Sequence, residues 1–242
     1  MKFAPPLVPA TLIHRYKRFL FDAVLDDGTE ITGFCPNTGS MRGLTTPGSR
    51  IWLADHLGSE RKYRYSWELI EAEGTVIGVH AAAANRLAEE AMTGGLVGDL
   101  GGYENLRREQ RYGKNSRVDF LLSGDGRPDT YVEVKNVHFS REGGLAEFPD
   151  TVTARGAKHL VELAAMVAAG HRAVMLYLIQ RDDCDRFSIS GDLDPAYARA
   201  FTAASATGVE AYAVSCRVSP VEIAPHRLIT MDEPALAALE TR

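Results

Sequence analysis

Residues 117–122, RVDFLL, and 131–137, YVEVKNV, are two apolar stretches joined by SGDGRPDT, and this segment decides how the second half of the chain folds. Gly, Pro and Asp in the middle favour a turn, so the segment predicts a β-hairpin. Alternate residues of a strand share a face, so Glu133 and Lys135 point the same way. An acid and a base on one strand face indicate either an ordinary ion pair or two parts of a catalytic site.

Pairing of the two strands would bring a third charged side chain, Asp119, to the edge where Glu133 and Lys135 stand. Two carboxylates that lie close together repel each other, and Mg²⁺ or Mn²⁺ with oxygen ligands removes that repulsion. A lysine beside the ion can stabilise a phosphate. The set therefore predicts metal-dependent phosphodiester hydrolysis, with an ion pair between Asp119 and Lys135 as the simpler alternative.

The apolar residues of the second strand give a less regular signal. Val132 and Val134 alternate with the charged pair and are expected to face the core. Val137 has the parity of the charged pair, so we expect it to face the core only after Asn136 or a small irregularity has shifted the phase.

The first eighty residues predict short β-strands separated by turn residues, in the stretches YKRFLFDAVLD, EITGFC, RIWLADH, KYRYSWELIEAE and TVIGVH. Five such strands favour a small barrel, either an oligonucleotide-binding (OB) barrel or an SH3-like one. We place a domain boundary after them, with an OB-like nucleic-acid-binding barrel at 1–82 and an α/β domain with a mixed sheet at 83–242.

Strands alternate with helices in the second domain. NRLAEEAM predicts a short helix with Asn85 as its N-cap, and Asp150 is expected to cap a longer helix that ends at Gly170. A third helix is predicted between an Asp194 cap and Gly208. RAVMLYLI is continuous and apolar, which is typical of a strand buried on both faces. The alternation indicates a mixed sheet covered by helices on both sides.

Composition limits the class of protein. The chain has 242 residues, a net charge of −5 and three cysteines, and no apolar run approaches the ~20 residues that cross a bilayer. An odd number of widely spaced cysteines favours free thiols, so we expect a cytoplasmic protein without a membrane partner. In CPNTGSM, Cys35 and Ser40 have no histidine nearby in sequence, and we interpret this stretch as a turn. The oligomeric state stays open, with a homodimer as one option.

Basic clusters interleaved with aromatic and amide residues can bind phosphates even on a chain with a net negative charge. The first cluster, around Tyr16, is expected to be a strand in which Arg15 and Lys17 share a face with Phe19. The candidate DNA-binding residues are Arg15, Lys17, Arg18, Asn37, Arg61, Lys62, Arg64, Arg111, Lys114, Arg117 and Lys158.

Eight stretches in consistent order resemble the sugar fermentation stimulation protein A (SfsA) family: RYKRFLFDAVLDDG, CPNTGSM, PGSRIWL, RKYRYSWELIE, YGKNSRVDFLL, YVEVKNVHF, FPDTVTARGAKHLVEL and VEAYAVSCRVSP. The resemblance implies an OB-type barrel followed by a domain similar to the PD-(D/E)xK nucleases. It also implies non-specific DNA binding and a regulatory role in sugar metabolism, especially that of maltose.

The resemblance also implies roles for individual residues. The family's acidic helix position matches Glu90, with Glu89 as the competitor, its strand acids match Asp119 and Glu133, and its lysine matches Lys135. Glu90, Asp119 and Glu133 would then hold Mg²⁺ or Mn²⁺. Val118 replaces the motif's proline, Ala157 stands where the family usually has glutamine, and His138 where threonine is usual. A nuclease is the expected activity, and a catalytically silent DNA-binding regulator of sugar metabolism is the alternative.

Overall fold

The computed structural model describes residues 1–113 and 116–232. The first part of the chain consists of β-strands. They are β1 (Val8–Tyr16), β2 (Leu20–Leu25), β3 (Glu30–Phe34), β4 (Arg50–Asp55), β5 (Tyr65–Ala72) and β6 (Thr75–Gly78).

Strands β1 to β5 form a closed barrel. β2 pairs with β1 and β3, and β4 pairs with β1 and β5, all in antiparallel fashion. A parallel bridge between Phe34 and Ser66 joins β3 to β5 and closes the barrel. Phe21, Leu53 and Trp67 fill its interior with almost no exposure, and burial of such side chains stabilises the fold. The predicted OB-type barrel is confirmed, and β6 extends the sheet beyond it.

The first strand of the barrel differs from the prediction. The stretch beginning at Tyr16 is not one strand, because β1 ends there and β2 begins at Leu20. Lys17 and Arg18 between them have φ of 50° and 64°, so they form a left-handed turn. Residues other than glycine seldom adopt a positive φ. The segment contains no glycine or asparagine that would have indicated the turn.

The second part mixes helices and strands. Its elements are α1 (Ala83–Thr93), a 3₁₀ turn (Leu100–Gly102), β7 (Asn105–Tyr112), β8 (Ser116–Ser123), β9 (Thr130–Val137), β10 (Phe139–Glu142), β11 (Leu145–Phe148), α2 (Ala154–Ala168), β12 (Arg172–Ile179), β13 (Arg186–Ile189), α3 (Pro195–Ala206), β14 (Glu210–Val218), β15 (Ile223–Leu228) and β16 (Thr230–Asp232). The predicted domain boundary falls between β6 and α1.

A six-stranded mixed sheet forms the centre of this part, in the order β15-β14-β12-β9-β8-β7. β9, β12 and β14 are parallel, whereas β7, β8 and β15 run antiparallel to their neighbours. Helix α1 covers one face, and α2 and α3 cover the other. A smaller sheet, β10-β11-β13-β16, lies beside them. No helix within the described ranges is both long and apolar enough to span a bilayer.

Because both faces of the sheet are covered, Val137 needs no shift in phase. The register of β9 against β12 is continuous from Thr130 to Val137. Val132 and Val134 pack on the α1 side, while Val137 packs on the α2 side, the face of Glu133. The predicted irregularity was therefore wrong, because the α2 side of the sheet is a core of its own and Val137 faces it without any change of register.

Two of the predicted helix caps are also wrong. Asn85 lies inside α1, and the cap position is Ala82. At α2 the cap is Thr153, whose side chain accepts a hydrogen bond from the backbone N–H of Gly156. The third prediction is confirmed, because Asp194 accepts from Tyr197 at the start of α3.

Asp150 instead joins the barrel to the second part of the chain. Its carboxylate accepts from the Ser40 hydroxyl at 2.7 Å and lies 3.8 Å from Nε2 of His138. Burial raises the pKa of Asp150, but the nearby imidazole of His138 and the hydrogen bond from Ser40 outweigh burial and bring it to about 2. The charged form is therefore stabilised in the folded protein.

Candidate active site

Asp119 lies where strands β8 and β9 separate. The pairing of the strands runs from Leu122 to Phe120 and ends there. Beyond that point, a hydrogen bond from the Asp119 side chain replaces the backbone pairing of the strands, because its Oδ2 accepts from the backbone N–H of Val134 at 2.7 Å. Its Oδ1 accepts from Nδ2 of Asn85 on α1 at 2.8 Å. Two hydrogen bonds thus fix the carboxylate between the strands.

Glu133 and Lys135 form a pair on the face covered by α2. Glu133 is only 3% exposed, and its Oε1 accepts from Nζ of Lys135 at 2.7 Å. The same oxygen contacts Nδ1 of His159. The second oxygen, Oε2, is buried and has no hydrogen-bond partner among the residues described.

His159 is a site residue that the sequence analysis assigned no role. A carboxylate can only accept, so the His159 Nδ1 that meets Glu133 must carry a proton. Nε2 of the same ring accepts from Nε of Arg155 at 3.4 Å, which completes a neutral imidazole. The signal was present in the sequence, because His159 falls at helical spacing between Gly156 and Leu163 on the buried face of α2.

This environment shifts the pKa values of the two carboxyl groups, Asp119 and Glu133, in opposite directions. Burial and the nearby charge of Glu133 raise the pKa of Asp119 above its ordinary value. Burial would also raise the pKa of Glu133, but hydrogen bonding from His159 and the charge of Lys135 outweigh it and lower that pKa. Glu133 is thus held as the anion, and Asp119 is the carboxyl that repulsion affects most.

Two further polar side chains are buried beside this group. Tyr112 ends β7, and burial together with the charges of Glu133 and Glu162 raises the pKa of its hydroxyl. Within the described ranges, neither Tyr112 Oη nor either carboxylate oxygen of Glu162 has a hydrogen-bond partner. Lys158 Nζ lies 3.6 Å from Glu162 and is the nearest charge to it on α2. Buried polar atoms without partners are rare and commonly mark a bound water or ion.

The residues present fit a hard divalent cation with few protein ligands. In the parts of the chain that the structure describes, no three His, Cys, Asp or Glu side chains form a metal-binding group. Mg²⁺ and Mn²⁺ do not require one, since Mg²⁺ usually takes one or two carboxylates and keeps waters or substrate phosphate as its other ligands. The unpartnered Oε2 of Glu133 and the carboxylate of Asp119 supply that number.

The predicted helix acid, Glu90, does not join this group. Its carboxylate lies 3.1 Å from the amino group of Met1, on the side of α1 that faces β15. Glu89 is bound to Arg108 of β7. Because each helix residue advances by about 100°, the side of α1 that faces Asp119 presents Asn85, and the prediction that Glu90 is a metal ligand is not supported.

Two of the residues predicted to contact DNA donate hydrogen bonds to backbone carbonyls of the protein instead. The guanidinium of Arg15 donates to the backbone carbonyls of Arg18, Asn37 and Gly39 at 2.5–2.9 Å. Asn37 is buried, and its amide donates to the carbonyl of Val79. Both side chains are bonded to the protein's own backbone, so the structure does not support either as a phosphate contact, and that contact stays a prediction.

The other predicted contacts lie at the surface. Lys17, Arg18, Arg61 and Lys62 are exposed, and so is Lys158. Arg64 is exposed but is held by Asp55 through two hydrogen bonds of 2.6–2.7 Å.

A pair of arginines adjoins Asp119. Arg111 and Arg117 face each other across β7 and β8, and both are exposed. Like charges directly opposite each other are unfavourable unless an anion lies between them. Lys114, the residue after Gly113 in the sequence, lies outside the described residues.

Comparison with known proteins agrees with this architecture. Residues 13–79 match the SfsA N-terminal OB domain, and residues 82–222 match the sugar fermentation stimulation protein RE domain. The chain belongs to the SfsA family. A sugar fermentation stimulation protein homolog of Agrobacterium fabrum is 67% identical over 233 residues, covering 96% of this chain and 98% of the relative. One from Brucella anthropi is 58% identical over 232 residues, covering 96% of this chain and all of the relative.

A solved structure of an SfsA family member gives the same fold. The structure of Pyrococcus furiosus SfsA in complex with Ca²⁺ superposes with a TM-score of 0.85 at 25% identity. The match covers 96% of this chain and 98% of the archaeal one. The family and the fold expected from the sequence motifs are therefore confirmed.

Proposed function

We propose that this protein is a divalent-metal-dependent DNA phosphodiesterase that binds the DNA backbone without reading its sequence. The observation that carries the proposal is the group of Asp119, Glu133 and Lys135 at the separation of β8 and β9. Glu133 has one buried oxygen held by Lys135 and a second that is unpartnered among the described residues. A purely structural ion pair would gain nothing from a second buried carboxyl that it repels.

In this proposal, Asp119 and Glu133 hold Mg²⁺ or Mn²⁺. The bound ion would neutralise charge on the phosphate and ease deprotonation of the attacking water. That the archaeal SfsA structure is a complex with Ca²⁺, another cation that prefers oxygen ligands, supports this assignment.

The chain's own residues would position the phosphodiester. Lys135 already lies at the carboxylate and can stabilise the negative charge that develops when water attacks phosphorus and the bond to the leaving oxygen breaks. His159 donates to Glu133 and fixes its orientation. Arg111 and Arg117 would receive a neighbouring phosphate, because their mutual repulsion falls when an anion lies between them.

One observation favours the alternative, a DNA-binding regulator without catalysis. Lys135 and His159 both contact the same oxygen of Glu133, so this carboxylate is already compensated without an ion. The names of the relatives point to an effect on sugar fermentation, which such a regulator could produce.

A cleavage assay separates the two functions. Plasmid, linear duplex and single-stranded DNA are incubated with the protein and Mg²⁺ or Mn²⁺, and again in EDTA. We expect cleavage that requires the ion and is lost in Asp119→Ala and Lys135→Ala. Matched controls are Asp125→Ala, in the exposed turn of the same hairpin, and Lys2→Ala, an exposed lysine that the candidate site does not include. Binding of all three DNAs without cleavage of any would establish the regulator instead.

A further inference from the structure

A cavity of about 720 Å³ opens where the barrel meets helix α1. Its walls come from the end of β3, the loop between β4 and β5, and the residues that join β6 to α1. The lining is mainly apolar. None of the groups assigned to the candidate active site lies in it.

Aromatic side chains form part of the wall. Phe34, which is 39% exposed, and Tyr63, which is half-buried, both line the cavity. A flat, apolar ligand would cover both rings and remove their surface from water. A nucleobase is such a ligand, and stacking on aromatic side chains is tolerant of sequence because every base has a π-face.

Two cationic side chains also line the cavity. Arg61 and Lys62 are both exposed, and Lys62 Nζ lies 5.4 Å from the centre of the Tyr63 ring. An anionic group attached to the flat ligand would therefore lie between positive charges. An apolar ring with an attached anion is the chemistry of a nucleotide.

A chain of polar groups follows the inner wall. The Ser66 hydroxyl lies 3.1 Å from Glu68 and 2.8 Å from Nε2 of His56, and that nitrogen also accepts from the guanidinium of Arg61 at 3.0 Å. The other oxygen of Glu68 accepts from Nδ1 of His80 at 2.8 Å. The second nitrogen of a neutral His80 ring is then an acceptor, which can meet an amino group on the edge of a base.

The cavity is linked to the candidate active site by short connections. The backbone carbonyl of His80 accepts from Nε2 of Gln180, which also donates to the side chain of Asn136. Asn136 follows Lys135 directly. On the other side, Ala82 of the wall precedes Asn85 by three residues, about 4.5 Å along the helix, and Asn85 holds Asp119.

We propose that this cavity binds one unpaired base of a DNA strand and so directs the neighbouring phosphodiester to Asp119, Glu133 and Lys135. The inference rests on the proposed DNA binding and names its substrate: DNA with a single-stranded tail or a frayed end. A base inside a duplex cannot enter, because its two faces are stacked and its edge is paired.

The test compares two DNAs that differ only in a short tail. A duplex with a tail containing 2-aminopurine and a blunt duplex of the same length are titrated in EDTA, where cleavage does not interfere, and Kd is measured by anisotropy. The wild type should bind the tailed DNA more tightly, and 2-aminopurine fluorescence should be quenched on binding. Phe34→Ala and Tyr63→Ala should each weaken tailed binding about tenfold, the effect of losing one stacking partner. Blunt binding should change less than twofold.

The matched control is Phe19→Ala, which removes another exposed phenyl ring of the barrel that does not line the cavity. Ala82→Leu places a larger side chain at another residue that lines the cavity. It leaves both aromatic rings in place, and it should also weaken binding of the tailed DNA. Equal Kd values of the wild type for the two DNAs, or equal losses on both in the variants, would overturn the inference and leave the proposed function standing. A wild type that binds neither DNA would overturn both.

Discussion

Replacement of Lys135 by methionine tests whether Glu133, the buried partner of Lys135, can also bind a divalent ion. Methionine keeps most of the lysine's apolar stem but lacks the ammonium group, so the charge and its hydrogen bond to Glu133 are lost. The Lys135 side chain is 13% exposed, and that of Glu133 is 4% exposed, with their charged atoms 2.7 Å apart. The change therefore leaves a buried carboxylate with His159 as its remaining donor.

The expected cost follows from these contacts. Removing one partner of a buried pair destabilises a protein by about 3–5 kcal/mol. His159 keeps its hydrogen bond with Glu133 in the variant, so the carboxylate is not left without a donor, and the cost should lie at or below the lower end of this range. In EDTA, we expect the free energy of unfolding to fall by about 2–3 kcal/mol.

A divalent ion should reverse part of that loss. An ion at ten times its Kd stabilises the wild type by about 1.4 kcal/mol. The variant should gain more, because the ion replaces the missing lysine as the counter-charge of Glu133. The difference between the two proteins should therefore narrow by about 1 kcal/mol or more when Mg²⁺ or Mn²⁺ is added.

The assay is urea unfolding of both proteins in EDTA and in a saturating concentration of the ion. Lys158→Met is the control; the Lys158 side chain is 53% exposed and its Nζ lies 3.6 Å from Glu162, so its loss should cost below about 1 kcal/mol with or without the ion. If Lys135→Met costs the same in both media, the ion does not bind at Glu133. If it costs less than about 0.5 kcal/mol in EDTA, the buried pair does not have the strength assigned to it.

Three other outcomes follow from the site and its surroundings. Asp119→Asn should abolish metal-dependent cleavage and change the melting temperature little, because relief of repulsion from the neighbouring carboxylate offsets the loss of one of the two hydrogen bonds that Asp119 accepts; calorimetry beside the cleavage assay checks both. The pKa of Asp150, which is lowered from 3.8 to about 2, should give about 2 kcal/mol of stability above pH 4 that is lost as pH falls towards 2. Asp150→Asn should therefore flatten the acid limb of an unfolding titration, and an unchanged limb would refute the assignment. Arg111→Ala and Arg117→Ala should each lower the slope of log Kd against log salt by about one, measured with duplex DNA.

Patterns of alternation and turn residues were enough to predict most of the fold. The hairpin of β8 and β9, the buried strand β12 and the capped helix α3 follow from signals that act within a few residues. The turn at Lys17 and Arg18 was missed because tertiary pairing of β1 with β2 and β4 imposes a backbone conformation that these residues do not favour by themselves. Strand pairing overrides the backbone preference of individual residues where the chain has to reverse direction tightly.

The candidate site was predictable to the extent that it lies on strands. Strand parity placed Glu133 and Lys135 on one face, and the hairpin placed Asp119 beside them. The contribution of His159 could not be obtained in the same way, because it depends on which helix covers that face of the sheet. Arg15 shows the same limit: its position next to other basic residues suggested DNA, whereas the folded barrel uses its donors to hold the loop after Asn37.

The two faces of the central sheet explain why a helix acid from α1 does not complete the site. Glu133 and Lys135 project towards α2, so α2 can supply His159 to them. Helix α1 packs on the opposite face, with Val132 and Val134 between it and that pair. Only a side chain that stands between the strands, as Asp119 does, can be reached from α1, and there the helix presents the amide of Asn85. The polar support of the two carboxylates thus comes from opposite sides of one sheet, an amide for Asp119 and an imidazole for Glu133.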